Sequence, residues 1–494
     1  MVLIVYLTSF LFALISGFGL RWLHKRNSRL PPGPVGVPVL GSLPFLNIFH
    51  LGQSFSEVAK RYGDVFSLRV GTELAVVLNS YDAIKKAFSN PKLCDRPDTF
   101  MFRFFSQGEN GLASASGEKW RVQRKFTHTQ LKRFGFGRPQ MEAFVQDEVK
   151  DLISVLKEKC SNGRSSAVEI GFDINVAVVN VIWSLITGER KSHDDPRIRD
   201  FLIAVNKSVE LATTSSILLF FPFLIKIFPE KMFGIDQMRK WMQASYGYLQ
   251  EIIDKHKNKK DRSEEAKDFV EAFLAEMEKD GAHPSFNEFQ LLVLCSELFG
   301  AGGEPTSVTL KWAIRYLAMN PDIQKRAQEE IELVLGGADR PVEMSDRVSL
   351  PYVQALIQDL IRISDIHPIG VMHSPSTDLE FEDYLIPKGT FVFPNFHHVH
   401  HDPKYWEKPN ELYPEHFLDS EGQFIHKREG FIAFGVGKRK CPGQDVAQME
   451  LFCFLSNLLK NFTFTLTPED SGKVETTAGC VVSPKPYPIQ IEVR

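Results

Sequence analysis

Apolar residues recur at helical spacing through most of the chain. The pattern is clear in residues 145–159, 289–299 and 310–320, where apolar positions three and four apart would form one helix face. Short strand-like patterns appear in residues 64–79 and in residues 488–494 near the carboxyl end. We see no internal repeat. The chain is therefore predicted to be mainly α with small β-sheets.

The amino-terminal region differs from the rest of the chain. Residues 2–20 carry no charge. Basic residues follow at once, at Arg21, Lys25, Arg26 and Arg29. A helix of this length would span about 28 Å, close to the thickness of a bilayer core. In a cleaved signal peptide the charge would precede the apolar run, so we expect a transmembrane signal anchor over residues 1–20. The basic flank places the remainder on the cytosolic side.

The next segment is rich in proline, which cannot join a regular helix. Residues 21–37 are therefore predicted to form a basic flank and a stiff extended strap, and residues 38–494 a single large domain. A second apolar stretch, residues 216–229, is too short to span a bilayer and contains Pro222. Burial in the core and contact with the membrane surface both suit this stretch.

Composition narrows the classes of function. The 494 residues are 43% hydrophobic with a formal net charge of -3, so no global basic field points to nucleic acid. The 6 cysteines are widely scattered without a Cys-x-x-Cys pair, which argues against a disulfide framework and a structural zinc site. The excess of 40 phenylalanines over 11 tyrosines suits either a large apolar pocket or a well-packed core.

One cysteine lies in an unusual loop, FGVGKRKCPG, which spans residues 434–443. The glycines permit tight turns and the close approach of a flat cofactor. Three basic residues precede Cys441, and a helix is predicted directly after it over residues 444–462. Both features would lower the pKa of the thiol. The loop is therefore predicted to hold a thiolate.

This loop resembles the cysteine loop of the cytochrome P-450 superfamily, Phe-x-x-Gly-x-Arg-x-Cys-x-Gly. The matching residues are Phe434, Gly437, Arg439, Cys441 and Gly443. The resemblance covers essentially the whole chain and is greatest to animal microsomal members related to family two. It implies the P-450 fold and haem b, with Cys441 as the thiolate ligand of the iron. Phe434 and Gly443 are expected beside the cofactor, with Phe434 shielding the sulfur.

The resemblance also implies which residues contact the haem propionates. WRVQR, residues 120–124, is similar to the family's Trp-x-x-x-Arg helix, whose spacing places both donors on one face. The implied contacts are Arg96, Trp120, Arg124, His373 and Arg439. The family's Glu-x-x-Arg pair appears as Asp359 and Arg362, which with His416 would support the cysteine loop. Because aspartate is one methylene shorter, this network must close up or recruit water.

The segment AGGEPT departs from the family's oxygen-binding pattern, Ala-Gly-x-Glu/Asp-Thr. The residues expected to be catalytic are Ala301, Gly302, Glu304 and Thr306. Pro305 replaces the threonine whose hydroxyl would relay protons, and it is expected to kink the helix. Thr306 stands one position late, about 100° around an ideal helix. A kink that brings Thr306 or a water into place, and impaired oxygen activation, both stay open.

The resemblance implies a reaction and its partners. We expect an endoplasmic reticulum membrane protein with a cytosolic catalytic domain that inserts one oxygen atom from O2 into a lipophilic substrate. A sterol, terpenoid, fatty acid or xenobiotic would suit it, and the electrons would come from NADPH through a cytochrome P-450 reductase. Pro305 keeps two alternatives open: an isomerase or dehydratase acting on a peroxide, and a haem-binding protein with weakened oxygen activation.

Three further sets of residues follow from these expectations. A basic face for the reductase, which an ordinary solvated surface also explains, would comprise Lys119, Arg121, Lys125, Lys132, Arg133, Lys438 and Lys440. Substrate contacts implied by family position are residues 100–105, Glu297, Phe299, Ala301, residues 369–371 and residues 480–482. The four histidines within residues 397–401 are not predicted to bind metal, because no cysteine or acidic ligand pattern lies beside them.

Overall fold

The computed structural model describes residues 29–134, 139–160, 163, 167–193, 195–259, 265–477 and 481–494. The predicted anchor, residues 1–20, lies outside these ranges. Among the residues that are described, no helix combines the length and apolarity needed to cross a bilayer. The proline-rich strap is fastened to the first strand, because the backbone N–H of Ser67 donates to the carbonyl of Pro32 over 2.8 Å.

Helices make up most of the described chain, as the sequence predicted. In chain order they are α1 (Leu51–Tyr62), α2 (Tyr81–Phe88), α3 (Phe100–Phe105), α4 (Gly117–Arg133), α5 (Pro139–Glu158), α6 (Gly171–Thr187), α7 (Pro196–Thr214), α8 (Ile217–Phe220), α9 (Leu224–Ile227), α10 (Ile235–Lys257), α11 (Phe269–Met277), α12 (Glu288–Met319), α13 (Pro321–Leu335), α14 (Pro351–Ser364), α15 (Phe396–His400) and α16 (Gln444–Asn461). The helical patterns predicted at 289–299 and 310–320 are two parts of one helix, α12.

The strands form small sheets at the edges of the helical body. In chain order they are β1 (Val65–Val70), β2 (Glu73–Leu78), β3 (Leu379–Phe381), β4 (Tyr384–Ile386), β5 (Phe391–Pro394), β6 (Phe462–Leu466) and β7 (Ile489–Val493). β1 and β2 form an antiparallel hairpin, and β5 pairs with β2 in parallel. β3 pairs with β4 and β6 with β7, both antiparallel. The strands predicted in residues 64–79 and 488–494 are confirmed as β1, β2 and β7.

The core is built around α12, which packs against α6 and α16. Leu291 and Leu310 of α12, Trp183 of α6 and Phe454 of α16 are all fully buried in one apolar cluster. Burying each such side chain contributes roughly 1.5–3 kcal/mol. This packing keeps α12 helical through Pro305, although a proline inside a helix removes one hydrogen bond.

The second apolar stretch divides between the two environments that the sequence left open. Leu218 and Phe220 are buried, with exposed fractions of 0% and 6%. Ile227 and Phe228 are 64% and 42% exposed. The first half therefore joins the core, and the second half presents apolar side chains at the surface.

Candidate active site

The cysteine loop closes on itself ahead of α16. The backbone N–H of Cys441 donates to the carbonyl of Phe434 over 2.9 Å, and Gly437–Arg439 forms a turn of 3-10 helix. Gly437 has a φ of 74°, and a Cβ added there would lie 2.1 Å from the carbonyl oxygen of Phe88. Glycine is therefore required at this position, both for the backbone conformation and for the close approach.

The thiol of Cys441 is exposed, but neighbouring protein still restricts its solvation. Burial raises the pKa of this thiol, and the Gly443 N–H and the charges of Arg124 and Lys440 oppose the rise without cancelling it. The predicted lowering of the thiol pKa is therefore wrong for the polypeptide by itself, because desolvation outweighs the basic residues. A metal ion deprotonates a thiol that coordinates it. Binding of the iron would therefore favour the thiolate form of Cys441, which the basic residues of the loop do not achieve by themselves.

Three arginines, Arg96, Arg124 and Arg439, form a cluster that we call the arginine cradle. Arg439 lies 3.9 Å over the ring of Trp120, and Arg124 lies 5.8 Å from the same ring. Burial and the neighbouring Arg96 and Arg124 charges lower the pKa of Arg439 to about 8. Within the described residues, none of the three guanidinium groups forms an ion pair; they donate to backbone carbonyls. The cradle therefore holds positive charge that no direct ion pair compensates, with Glu297 within electrostatic reach of Arg96 and Arg439.

Two more of the predicted propionate contacts border the cradle. Trp120 is 5% exposed, and its indole N–H has no hydrogen-bond partner among the described residues. His373 stacks on Phe88 with ring centroids 3.9 Å apart, and its Nδ1–H donates to the Leu93 carbonyl over 2.7 Å. Burial and the charges of the cradle lower the pKa of His373 well below its ordinary value. An unpaired buried donor beside uncompensated cations fits a ligand that carries carboxylates.

α12 carries the predicted oxygen-binding segment without interruption. Pro305 lies inside the helix, which continues to Met319. Because proline has no N–H, the carbonyl of Ala301 lacks the helical donor four residues further on. Ala301 is also exposed, so this part of α12 faces accessible space. A Cβ at Gly302 would lie 3.0 Å from Ile182, so Gly302 permits the close packing of α12 on α6.

The two polar side chains of this segment have different surroundings. Burial raises the pKa of Glu304, and the charge of Lys311 opposes the rise. Thr306 is 4% exposed and approaches Glu450 of α16, which is 0% exposed. Burial raises the pKa of Glu450 well above its ordinary value, and Thr306 opposes this shift. Neither carboxyl oxygen of Glu450 has a hydrogen-bond partner of ordinary geometry within the described residues.

Comparison with known proteins agrees with this geometry. The family model described as Cytochrome P450 matches residues 31–493. The chain belongs to the cytochrome P450 family. Similar relatives include cytochrome P450 2L1 of Panulirus argus, 34% identical over 96% of this chain and 96% of the relative. Cytochrome P450 2D3 of Rattus norvegicus is 35% identical over 94% of each chain. The chain is therefore related to the microsomal P450s of family two, which are oxidoreductases of the monooxygenase type.

Cytochromes P450 carry haem b, and the residues present here fit that group. Haem b has two carboxylates, which match the uncompensated charge of the arginine cradle and the unpaired indole N–H of Trp120. Its iron takes a thiolate, and Cys441 is the exposed cysteine of the described chain. A Cβ at Gly443 would lie 3.9 Å from the sulfur, so that side of the thiol has room.

The predicted supporting network closes by direct contacts. Arg362 donates to the two oxygens of Asp359 over 2.6 Å and 3.2 Å, and Nδ1 of His416 lies 2.9 Å from the same carboxylate. The backbone N–H of Tyr413 adds a further bond of 2.6 Å. The side chains of Asp359 and Arg362 are completely buried. The shorter aspartate is therefore accommodated by closing the network.

The implied substrate contacts occupy several environments. Phe299 is 2% exposed and packs on Trp183 with centroids 4.7 Å apart, so it belongs to the core. Glu297 accepts backbone N–H groups of the loop before α4, and burial raises its pKa to about 7. Val371 is 45% exposed, whereas Cys480 lies outside the described residues.

Sequence reasoning missed Glu450. Its signal was a single carboxylate within MELFCFL, an otherwise apolar part of the predicted helix 444–462. A charged residue is almost never fully buried unless it is paired, so such a position marks a special environment.

Proposed function

We propose that this cytochrome P450 is a membrane-bound monooxygenase that inserts one oxygen atom of O2 into a lipophilic substrate. Electrons would come from NADPH through a cytochrome P450 reductase. The observation that supports it most is the arginine cradle, whose uncompensated charge lies against a loop that presents the thiol of Cys441. The likeness to microsomal relatives supports the reaction type.

In this proposal Cys441 binds the iron, and Arg96, Trp120, Arg124, His373 and Arg439 hold the two propionates. When bound, the haem supplies the redox chemistry that activates oxygen. Trp120 donates its unpaired indole N–H, and the three guanidinium groups donate the N–H groups that carbonyls leave free. The Asp359, Arg362 and His416 network fixes the chain on both sides of Tyr413, ahead of the cysteine loop.

Protons would reach the site through α12 and α16. Pro305 removes the hydroxyl usual at this position and leaves the Ala301 carbonyl as an acceptor for water or substrate. Glu450, whose pKa burial raises well above its ordinary value, would act as an acid toward Oγ1 of Thr306. Glu304, which lies in α12 with Thr306, is a second acid whose pKa is raised. The acid and hydroxyl functions are therefore assigned to Glu450 and Thr306, with Glu304 as the alternative acid.

A lipophilic substrate and a membrane location are supported by the exposed apolar surface. Phe45 and Phe49 are 67% and 63% exposed, as are Ile227 and Met232 at 64% and 63%. Both segments adjoin one buried apolar cluster, which contains Leu46, Phe220 and Phe221. With an anchor over residues 1–20, this surface would lie on the endoplasmic reticulum membrane and deliver apolar molecules from it.

The proposed reductase surface is narrower than the seven predicted basic residues. Lys119 is partly buried and bonds to Asn110, and Arg133 forms an ion pair with Glu265 over 3.0 Å. The side chains left for docking are Arg121, Lys125, Lys132, Lys438 and Lys440, all exposed. An acidic partner would be attracted to this surface and released by salt.

The test is product formation by purified haem-loaded protein from a sterol, a sesquiterpenoid, a fatty acid and an aromatic xenobiotic. We expect one oxygen atom from labelled O2 in the product when NADPH and reductase are present, and none when either is omitted. Cys441→Ala should abolish turnover, whereas Cys453→Ala, which changes a buried cysteine of α16, should retain it. Turnover that is independent of O2 would overturn the proposal.

Pro305 favours one second candidate, an isomerase or dehydratase that rearranges a peroxide. Such an enzyme needs no external electrons and no proton delivery to O2, so the missing hydroxyl would cost it nothing. Incubation with a fatty acid hydroperoxide in the absence of NADPH decides between the two. Rapid rearrangement, with labelled oxygen kept from the hydroperoxide, would favour this candidate.

A further inference from the structure

Among the described residues, two clusters bring three possible metal ligands together, and each combines histidine with carboxylates. In the buried cluster of His256, Asp268 and Glu271, Nδ1 of His256 contacts the Ile252 carbonyl over 2.8 Å. Its Nε2 contacts the Thr187 carbonyl over 3.2 Å. A carbonyl can only accept, so both ring nitrogens carry protons and neither offers a lone pair. This cluster is an internal ion pair with no metal-binding capacity.

The second cluster consists of His397, His401 and Asp365, and its hydrogen bonds differ from those of the first. His397 lies in α15, His401 follows directly after it, and the spacing of four places both rings on one face. Their centroids are 4.2 Å apart. Asp365, which directly follows α14, lies beside them, and one ligand atom from each of the three residues lies within 4.8 Å of the others. Folding thus brings to the histidines a carboxylate that lies more than thirty residues away in the sequence.

The hydrogen bonds fix which nitrogen of each ring is available. Nδ1 of His397 lies 2.6 Å from Oδ2 of Asp365, and Nδ1 of His401 lies 2.9 Å from the carbonyl of His397. In a neutral ring these acceptors place the proton on Nδ1 and the lone pair on Nε2. Metal-binding histidines have this arrangement, in which the second nitrogen donates to a carboxylate or a carbonyl.

We infer that His397 and His401 bind one divalent transition ion of the zinc class through their Nε2 atoms. Asp365 acts as the positioning residue that orients His397 and adds negative charge. Imidazole nitrogens suit zinc, copper and nickel, and water would complete the coordination. The side chains of His397 and Asp365 are 16% and 13% exposed, so an ion can enter from solvent. His400 is not a ligand, because its Nε2 accepts the Ile432 N–H.

The ion would fasten the segment that joins α14 to β3. The backbone N–H of His397 donates to the Pro368 carbonyl over 2.8 Å, and Asp365 lies at the start of the same segment. Further along, the carbonyl of Met372 accepts from Arg96 of the cradle over 2.8 Å. A metal ion at this point would therefore stiffen a connection between the surface cluster and the haem site.

The test is titration of chelator-treated, haem-loaded, full-length protein with Zn2+ by isothermal calorimetry. We expect one saturable site, with affinity at least about tenfold weaker in His401→Gln and in Asp365→Asn. His398→Gln is the matched control, since its ring lies in the same helix outside the cluster. Zn2+ should also raise the thermal unfolding midpoint of the wild type and leave that of His401→Gln unchanged. The haem absorbance of each variant reports that it is folded.

Two outcomes would overturn the inference. One is the absence of saturable Zn2+ binding to the wild type, which would make the cluster an ion pair like that of His256. The other is binding by the wild type that His401→Gln and His397→Gln both leave unchanged, which would place the ion elsewhere. Neither result depends on turnover, so both are distinct from failure of the proposed function.

Discussion

Arg362 and Arg439 each donate to three backbone carbonyls, yet within the described part of the chain only Arg362 has a carboxylate partner. Arg362 bonds to the carbonyls at residues 400, 409 and 411 and to Asp359. Arg439 bonds to the carbonyls at residues 94, 112 and 115 and lies beside other cations. The charge of Arg362 is balanced by Asp359, whereas the charge of Arg439 is available to a bound ligand. The balance of buried charge therefore separates a structural arginine from a binding arginine more clearly than hydrogen-bond number does.

The largest effect should come from breaking the balanced cluster. Arg362→Leu leaves Asp359 buried without its cation, which costs about 3–5 kcal/mol. Urea unfolding followed by circular dichroism measures this loss. Arg362→Lys keeps the charge without the forked geometry, so it should recover only part of the stability. A loss below about 1 kcal/mol in Arg362→Leu would contradict the assignment of this cluster as structural.

The cradle should respond in the opposite way. Arg124→Gln removes a cation that forms no ion pair with any described residue, so the haem-free chain should keep its stability. Because a hydrogen bond to a charged group contributes about 1.5–3 kcal/mol, haem loss should be about tenfold faster or more. Transfer of haem to an excess of apomyoglobin measures the rate. Arg121→Gln, exposed on the same helix, is the control and should change neither quantity.

Glu450 extends the comparison to a buried acid without a cation. Burial raises its pKa well above the ordinary carboxyl value, so between the two pKa values the folded chain holds a proton that the unfolded chain releases. Stability should therefore fall as pH rises above the ordinary carboxyl pKa, by about 1.4 kcal/mol per pH unit up to the pKa of the folded state. Glu450→Gln should remove this slope. Urea unfolding at pH 5 and pH 7 tests it, and parallel losses in both proteins would contradict the buried neutral carboxyl.

The predictions from sequence agree with the structure for features that depend on local residue spacing. They differ from it for features that depend on burial. The helices, the strands and the cysteine loop follow from spacing, and the resemblance correctly groups Arg96, Trp120 and Arg124, which are far from Arg439 in sequence. The sign of the Cys441 pKa shift could not be predicted, because it depends on how much protein surrounds the thiol. The meeting of Thr306 with Glu450 depends on the packing of α12 on α16.

The same limit explains the histidines of residues 397–401. The residues beside them in the sequence form no metal-ligand pattern, so a metal site was not predicted. Asp365 reaches them because α14 ends where α15 packs, at a distance of more than thirty residues along the chain. A sequence motif identifies ligands that lie on one helix or strand, but it does not identify a residue that a second helix or strand brings to them.

The smallest effect should come from an ion pair that resembles the Asp359 and Arg362 pair in all but burial. Arg29 lies 3.0 Å from Glu380, but the two side chains are 66% and 72% exposed. Water already solvates both charges, so exposed pairs of this kind contribute about 0–1 kcal/mol. Glu380→Gln should therefore leave the urea midpoint within error of the wild type. A loss as large as that of Arg362→Leu would show that pairing itself, and not burial, decides what each arginine does.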